Sequence, residues 1–501
     1  MEIDASLCNY LVAAFILLCF SFYHWYQRPK RFPPGPRGIP VLGVLPFLGR
    51  WIERKLYQWS REYGPVMAVR LGRKDMIVLS DYDVINQAFV KQGQKFSGRR
   101  HLSFYPPSHE KYGLVFLDYG PLFKSQRKFG VATLSGLGVG NSSMETRVKE
   151  ETFYLNEAIR SKHGKTFDIS KLLSKAIANN ICSVTFGMRY DYDDTKFLEI
   201  IDTVLNDLWS ISLYSRFHDP QVNTAFRSFS FEPKFRFIPP FRAGYQKFMS
   251  DLEFVKASLG QIIDEHDATF DGKNLRDFVD AFLKQIKAGK KEFTRKQLVG
   301  YMRDLLVAGT DTSSSTLLWA ALCLLHFPDA QQKLYDEIKD IIGSEGSVSA
   351  SHTTMMPYTN AFIQEVFRFR TLAPLGIIHK TNEDAELSGY VIPRNTAVII
   401  NIWAVHNDPD YWKDPGTFRP ERFIDENGDF VKSNRVIPFS VGMRRCLGEQ
   451  LARMEIFIFL VSLLQKFEFL PDEDESLPPL DYPSRASAFV PHPFKMIARE
   501  R

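Results

Sequence analysis

Cys446 is the residue of this chain whose surroundings say most about chemistry. It lies in Phe439-Ser440-Val441-Gly442-Met443-Arg444-Arg445-Cys446-Leu447-Gly448, and the apolar run over residues 451–460 that follows reads as a buried helix. A cysteine just before a helix N-terminus meets the positive end of the helix dipole and free backbone N–H groups, which favour thiolate over thiol. Gly442 and Gly448 bracket it, and a flat macrocycle can approach glycine backbone closely. Arg444 is placed to answer an anionic group. These are the parts needed to hold a haem iron through one sulfur. A lone cysteine is more often a buried core residue; its context sets this one apart from Cys8, Cys19, Cys182 and Cys323.

A second constellation is Ala308-Gly309-Thr310-Asp311-Thr312. It falls inside a helical pattern that starts at Thr294-Arg295-Lys296-Gln297, which has capping-box spacing. The pattern runs through Leu298, Met302, Leu305 and Leu306 to Leu325 and stops at Pro328. Small residues in mid-helix leave room for something flat, and Gly309 costs about 1 kcal/mol of helix stability relative to Ala. The Thr312 hydroxyl can bond back to the carbonyl of residue 308 and bend the helix. Tight helix–helix packing is the other reading of such a Gly–Thr pair. A third constellation, Glu365-Val366-Phe367-Arg368, sets a carboxylate and a guanidinium three residues apart on one helix face. It gains meaning beside Phe418-Arg419-Pro420-Glu421-Arg422-Phe423.

The elements that must position these groups are mostly helical. Residues 82–92, 143–161, 195–208 and 246–266 carry helical spacing. A hairpin is expected over residues 66–71 and 76–79, turning at Gly72-Arg73-Lys74-Asp75, and strand signals return only at residues 390–392 and 397–400. No linker, acidic run or repeat divides residues 41–501, so one large domain is expected. The fold class is mainly α with small peripheral β-sheets, not an alternating βα nucleotide-binding domain. Gly136-x-Gly138-x-Gly140 lacks the full dinucleotide spacing and reads as a turn. A formal charge of +5, from 63 basic and 58 acidic residues, is too mild for nucleic-acid binding. Five scattered cysteines without C-x-x-C spacing argue against zinc and disulfides and for a reducing compartment.

Residues 5–26 carry no charged side chain if His24 is neutral. Residues 1–28 therefore read as an N-terminal transmembrane anchor. Trp25, Tyr23 and Tyr26, then Arg28, Lys30 and Arg31, place the following chain on the cytosolic side. Residues 29–40, with Pro33-Pro34-Gly35-Pro36, read as a stiff basic and proline-rich hinge.

The stretch around Cys446 resembles the haem-binding loop of the cytochromes P-450, Phe-x-x-Gly-x-Arg-x-Cys-x-Gly, with all five fixed positions met. The resemblance extends from near residue 33 to the C-terminus. It implies the cytochrome P-450 fold and haem b, with Cys446 as axial iron ligand among Phe439, Gly442, Arg444, Gly448 and Ala308. It implies dioxygen as co-substrate and Asp311 with Thr312 delivering protons for its activation. Glu365, Arg368 and Arg422 would form a buried structural network behind the haem loop. Haem propionates would be met by Arg444, Lys124, Arg127 and His379; for His379 a hydrogen-bonded core histidine is the competing reading. The family usually has Trp-x-x-x-Arg where this chain has Phe123 and Arg127, a departure that removes one N–H donor.

The resemblance also places a largely apolar substrate pocket among Val115, Phe116, Leu305, Leu306, Ala373, Leu375, Ile377 and Phe489. A lipophilic substrate is implied: a fatty acid, steroid or foreign compound. Electrons would come from NADPH through a separate membrane-bound cytochrome P-450 reductase, with cytochrome b5 a second candidate partner. The expected dock is the basic surface of Lys124, Arg127, Lys128 and Arg445. The implied protein is a microsomal haem-thiolate monooxygenase in the endoplasmic reticulum membrane. Two readings stay open beside it: a haem-thiolate isomerase or dehydratase acting on peroxides without reductase, and a noncatalytic haem sensor or carrier.

Overall fold

The computed structural model describes residues 26–99, 112–138, 142–211, 241–481 and 490–501. The expected anchor, Gly140 and the pocket candidate Phe489 lie wholly or mostly outside these residues. Among the described residues no helix is long and apolar enough to cross a membrane.

Helices of ten residues or more are numbered in chain order: α1 Ile52–Tyr63, α2 Pro121–Gly136, α3 Ser142–Arg160, α4 Ser170–Phe186, α5 Thr195–Ile211, α6 Phe241–Ala268, α7 Phe278–Lys287, α8 Arg295–His326, α9 Pro328–Ile341, α10 Pro357–Phe369 and α11 Glu449–Lys466. The strands are β1 Val66–Leu71, β2 Lys74–Leu79, β3 Gly98–Arg99, β4 His379–Lys380, β5 Ala385–Leu387, β6 Tyr390–Ile392, β7 Ala397–Ile400, β8 Phe467–Pro471 and β9 Met496–Glu500.

Helix α8 is the spine, packed against α4, α11, α5 and α10. It is buried along most of its length although it carries the polar run from Thr310 to Thr316. The run is tolerated because several hydroxyls bond back to their own helix. Thr312 Oγ1 donates to the Ala308 carbonyl at 2.7 Å, Ser314 Oγ to Thr310 at 2.7 Å and Thr316 Oγ1 to Thr312 at 2.8 Å. Thr294 caps the helix by accepting the Gln297 N–H at 3.2 Å. The reciprocal half of the capping box is not made. The Gln297 amide instead donates to the Gly113 carbonyl at 2.6 Å, tying the helix start to a distant segment.

The main sheet has the order β1-β2-β7-β4-β3. The β1–β2 register pairs Leu71 with Lys74, so the turn is Gly72-Arg73 and Lys74-Asp75 belong to the strand. Strands β3, β4, β5, β8 and β9 gave no sequence signal. Three of them are two or three residues long, and β8 follows α11 without a break, so its apolar residues read as more helix. Residues 82–92 do not form one α-helix. An α-turn at Tyr82–Asn86 passes into a π-helical turn at Gln87–Lys91, which ends against the cysteine loop. The proline-rich neck is fastened to the first hairpin: the Pro34 carbonyl accepts the Ala68 N–H at 2.7 Å, and Arg28 pairs with Asp75 at 2.9 Å.

Gly309 separates the two readings of the small-residue stretch. A Cβ there would lie 2.5 Å from Ile181 Cδ1 on α4. Its smallness therefore serves helix–helix packing, while Ala308 holds the exposed position beside it. Gly309→Val is expected to destabilise the haem-loaded protein by about 1–3 kcal/mol through overpacking. In a double-mutant cycle with Ile181→Ala, read from denaturant unfolding, the pair should couple by about 0.5–3 kcal/mol, the double variant being less damaged than the sum of the singles. Additive effects would place residue 309 elsewhere.

Candidate functional site

The cysteine loop is held by its own backbone. Cys446 N–H donates to the Phe439 carbonyl at 2.9 Å and Arg445 N–H to Gly442 at 3.1 Å. Gly442 has φ +76°, and a Cβ there would sit 2.0 Å from the Phe89 carbonyl. The loop thus needs glycine at 442 for its own turn and for the π-helical turn behind it. At Gly448 a Cβ would meet nothing within 4 Å, so space is open there.

Cys446 is exposed, in a densely packed loop. Its thiol is nevertheless pushed up by burial of its surroundings. The Gly448 N–H and the Arg127 and Arg445 charges pull it down, and Glu449 opposes them. The helix-terminal N–H and the two arginines thus act toward the thiolate, and burial acts against them. Glu449, at the start of α11, is bonded by Arg445 at 2.5 Å and Arg453 at 3.0 Å, which holds its carboxyl below the ordinary range despite burial.

Arg444 is buried, and among the described residues its guanidinium donates to carbonyl groups: Ser97 at 2.9 Å, Leu114 at 3.4 Å and Leu117 at 2.6 Å. It stacks at 3.5 Å on the ring of Phe123, the position where the family carries Trp. Arg99, which gave no sequence signal, is also buried and donates to the carbonyls of Val115 at 3.0 Å and Ile377 at 2.9 Å. Burial and mutual repulsion push Arg444 down to about 8, and burial pushes Arg99 down to about 9. Asp118 is the acid that opposes both shifts, and it is already paired with Lys380 at 2.6 Å.

His379 is buried between these groups. Its Nδ1 bonds the Phe96 carbonyl at 3.1 Å, which fixes the Nδ1–H tautomer, and its ring lies edge-on to Phe89 at 4.5 Å. Burial and the Arg99 and Arg444 charges hold it neutral. Arg127 donates to the Arg445 carbonyl at 2.7 Å, whereas Lys124 is exposed and rests over Tyr119.

On α8, Ala308 and Thr312 are both exposed within a largely buried helix. Asp311 is buried, its Oδ2 has no hydrogen-bond partner, and burial pushes its carboxyl up to about 7. Of the pocket candidates, Val115, Phe116, Leu305, Ala373, Leu375 and Ile377 retain accessible surface. Leu306 does not: it is fully buried in the main core and is removed from the lining.

The Glu365 network forms as expected. Arg368 is bidentate to Glu365 with both contacts at 2.7 Å, and Arg422 Nε reaches the same carboxylate at 3.1 Å. Arg368 also donates to the carbonyls of His406, Pro415 and Thr417. The network continues through His406, which sequence reading missed. Its Nε2 accepts the Ile437 N–H at 2.8 Å, so Nδ1 carries the proton and donates to Thr371 Oγ1 at 2.7 Å. Burial and Arg368 push His406 down to about 3.

These residues fit a planar, dianionic cofactor: an open sulfur, an open helix face, and two buried guanidiniums with too little negative charge around them. A model of the family described as Cytochrome P450 matches residues 33–498. The chain is 35% identical to Cytochrome P450 2U1 of Mus musculus, over 95% of this chain and 92% of that one. It is also 35% identical to Cytochrome P450 2J3 of Rattus norvegicus (93% and 91% covered) and to Cytochrome P450 2B4 of Oryctolagus cuniculus (96% of each). The chain belongs to the cytochrome P450 family. As a cytochrome P450 it is a haem-dependent monooxygenase that uses dioxygen and electrons from NADPH delivered by a reductase.

Glu455 is the third residue sequence reading passed over. It is a lone acid in the apolar part of α11, buried, and it accepts from Ser313 Oγ at 3.2 Å, next to Thr312 on α8. Burial pushes its carboxyl up to about 8 from an ordinary 4.5. The folded chain therefore keeps this proton at pH values where the unfolded chain has lost it. That contribution to stability is full below about 4.5 and is lost as pH rises toward about 8. Asp311 acts in the same sense, His406 in the opposite one. Glu455→Gln should abolish its share, so that the thermal midpoint of the variant falls less than wild type between pH 5 and 8, by the equivalent of a few kcal/mol at about 1.4 kcal/mol per unit. Parallel pH profiles would show that Glu455 is ionised in the fold.

Proposed function

We propose that this cytochrome P450 hydroxylates or epoxidises a lipophilic small molecule, with residues 1–28 anchoring it in the endoplasmic reticulum membrane and residues 29–40 as the neck to the catalytic body. A fatty acid, steroid or hydrophobic foreign compound matches the apolar residues Val115, Phe116, Leu305, Ala373, Leu375 and Ile377. The observation that carries the oxygen-inserting reading is the pair on α8. The Thr312 hydroxyl stands on the exposed face, and the neighbouring Asp311 is a buried carboxyl with an unpartnered oxygen and a pKa near 7. A group that holds and releases a proton near neutral pH suits a reaction that turns one oxygen atom of dioxygen into water.

In this reading Cys446 would hold haem b through its sulfur, with Phe439, Gly442 and Gly448 shaping the loop that carries it. Arg444, Arg99, His379 and Arg127 would hold its propionates, and Lys124 would contribute to the outer charge. Haem held by a cysteine sulfur supplies the activation of dioxygen and insertion of one oxygen atom into a C–H bond or alkene. The chain's part is to bind the substrate against apolar side chains and keep bulk water away. It also passes protons in from Asp311 to the Thr312 hydroxyl. Thr312 is held by its bond to Ala308 O, and moving a proton through it requires that bond to be exchanged. The basic residues Lys124, Arg127, Lys128 and Arg445 are the proposed dock of the NADPH-dependent reductase and of cytochrome b5.

Cys446→Ala is expected to lose the absorption band of reduced, CO-bound thiolate haem; an unchanged band would overturn the ligand assignment. Thr312→Ala should retain haem and that band but release more reduced oxygen as peroxide, lowering product per NADPH several-fold at saturating substrate. Coupling at the wild-type level would remove Thr312 from proton delivery. Product formed from an organic peroxide at full rate without reductase, and none with reductase and NADPH, would favour the isomerase reading instead.

A further inference from the structure

Tyr301 gave no sequence signal, yet its side chain ends close to the cysteine loop. It lies on α8, about two turns before Ala308, and is fully buried. Its ring packs into an aromatic cluster, with ring centres 4.9 Å from Phe278 and 6.4 Å from Phe282. Its hydroxyl enters α2. Oη donates to the Gln126 carbonyl at 3.2 Å. A carbonyl inside a helix can accept this second bond because it has two lone pairs. Burial pushes the phenol up, so it stays an O–H donor at neutral pH.

Gly130 shows how closely the hydroxyl is fitted. It stands in the middle of α2, where glycine costs helix stability and needs a local cause. A Cβ on residue 130 would lie 1.9 Å from Tyr301 Oη and 3.3 Å from Leu447 Cδ2. The space a side chain would need is thus taken by a phenol of α8 and by the residue that follows Cys446. One turn of α2, Gln126 to Gly130, is wedged between α8 and the cysteine loop. That turn carries Arg127, which donates to the Arg445 carbonyl at 2.7 Å and whose charge acts toward the thiolate of Cys446. The turn is also fastened to the loop before α8, the Gln126 amide donating to the Glu292 carbonyl at 2.8 Å.

We propose that Tyr301 is a positioning residue for the sulfur of Cys446. Its hydroxyl sets where the α2 turn sits against the cysteine loop, and through Arg127 it sets how much positive charge the sulfur feels. The inference rests on the reading of Cys446 as the haem ligand. Charge and hydrogen bonds around a ligating sulfur tune the potential of the metal it holds, and a nearby cation makes the iron easier to reduce. Loss of the hydroxyl frees the turn, lets the guanidinium draw away from the loop and lowers the reduction potential.

The test is Tyr301→Phe in the haem-loaded enzyme, which keeps the ring in its cluster and removes only the oxygen. Haem content and the CO-bound thiolate band should be retained. The equilibrium constant for one-electron reduction of the iron, read by spectroscopic redox titration, should fall by about threefold to tenfold, at about 59 mV per tenfold. Phe282→Leu loosens the same aromatic cluster without touching the hydroxyl and should leave the potential at its wild-type value. Gly130→Ala, which displaces the hydroxyl, should lower the potential by itself and add little in the Tyr301→Phe background. A wild-type potential in Tyr301→Phe, an equal fall in Phe282→Leu, or additive falls in the Gly130→Ala and Tyr301→Phe pair would each overturn the proposal. Cys446→Ala reads the premise separately. A thiolate band that survives there overturns the ligand assignment and this proposal with it, whereas an unchanged potential in Tyr301→Phe leaves the assignment standing.

Discussion

The structure turns on how buried guanidinium groups are neutralised. A buried cation is tolerated only with matched partners, because the desolvation cost of an ion is several kcal/mol even after relaxation. Arg368 meets this fully: it has no accessible surface, a bidentate carboxylate in Glu365, and backbone carbonyls for its remaining N–H groups. Those carbonyls belong to the segment around residues 406–417, so the ion pair fixes the chain that leads to the cysteine loop. Arg444 and Arg99 are built differently. Their donors are matched by carbonyls but their charge is not, and Asp118 is shared with Lys380. The first arrangement is complete within the polypeptide. Among the described residues the second has only Asp118 as a nearby acid, and the two propionates of haem are a group that would complete it.

The same division runs along α8. Its seven-residue polar stretch, Thr310 to Thr316, is buried except at Thr312; the hydroxyls of Thr312, Ser314 and Thr316 bond back to the helix, and Ser313 instead reaches Glu455 on α11. Gly309 closes the crossing with α4, and Ala308 and Thr312 leave one strip of the helix open. Two adjacent small residues thus serve opposite purposes, one filling an interface and the other keeping a surface clear. Asp311 is unpaired and Glu455 has one unpartnered oxygen, so burial is uncompensated and both carboxyls titrate far above their usual range.

What the sequence revealed follows from which signals are local. Cys446 with its glycines and arginine, the Thr294 cap, the long helices and the Glu365-x-x-Arg368 spacing are all set within a few residues, and the structure contains each geometry. Arg99 was silent because its burial depends on a two-residue strand pairing with His379–Lys380, far away in the chain. His406 was silent because its partners, Thr371 and Ile437, come from separate segments. Glu455 did leave a trace: a single acid in an otherwise apolar helix is a buried partner waiting to be named. Leu306 fits the pocket by sequence position alone, but helix geometry turns it from the Leu305–Thr312 strip into the core. Gly309 and Gly442 were legible as glycine and not as to cause, because cause lies in Ile181 and Phe89, which only the tertiary structure brings near.

The cysteine itself shows where local reasoning stops. A helix terminus ought to lower a thiol, and the Gly448 N–H and the Arg127 and Arg445 charges do act in that direction. Burial of the surrounding loop acts against them. Glu449 would raise the thiol further, and its two arginine partners, Arg445 and Arg453, blunt that effect. The loop's contribution is therefore placement: a sulfur with an N–H beside it, on a turn locked by Phe439 and Gly442 and braced by Phe89. Since a coordinating sulfur must be deprotonated, loss of the thiol proton is coupled to cofactor uptake. That coupling favours the loaded fold more strongly as pH rises toward the thiol's own range, and it makes the cysteine loop, the arginine pair and the folded state interdependent parts of one equilibrium.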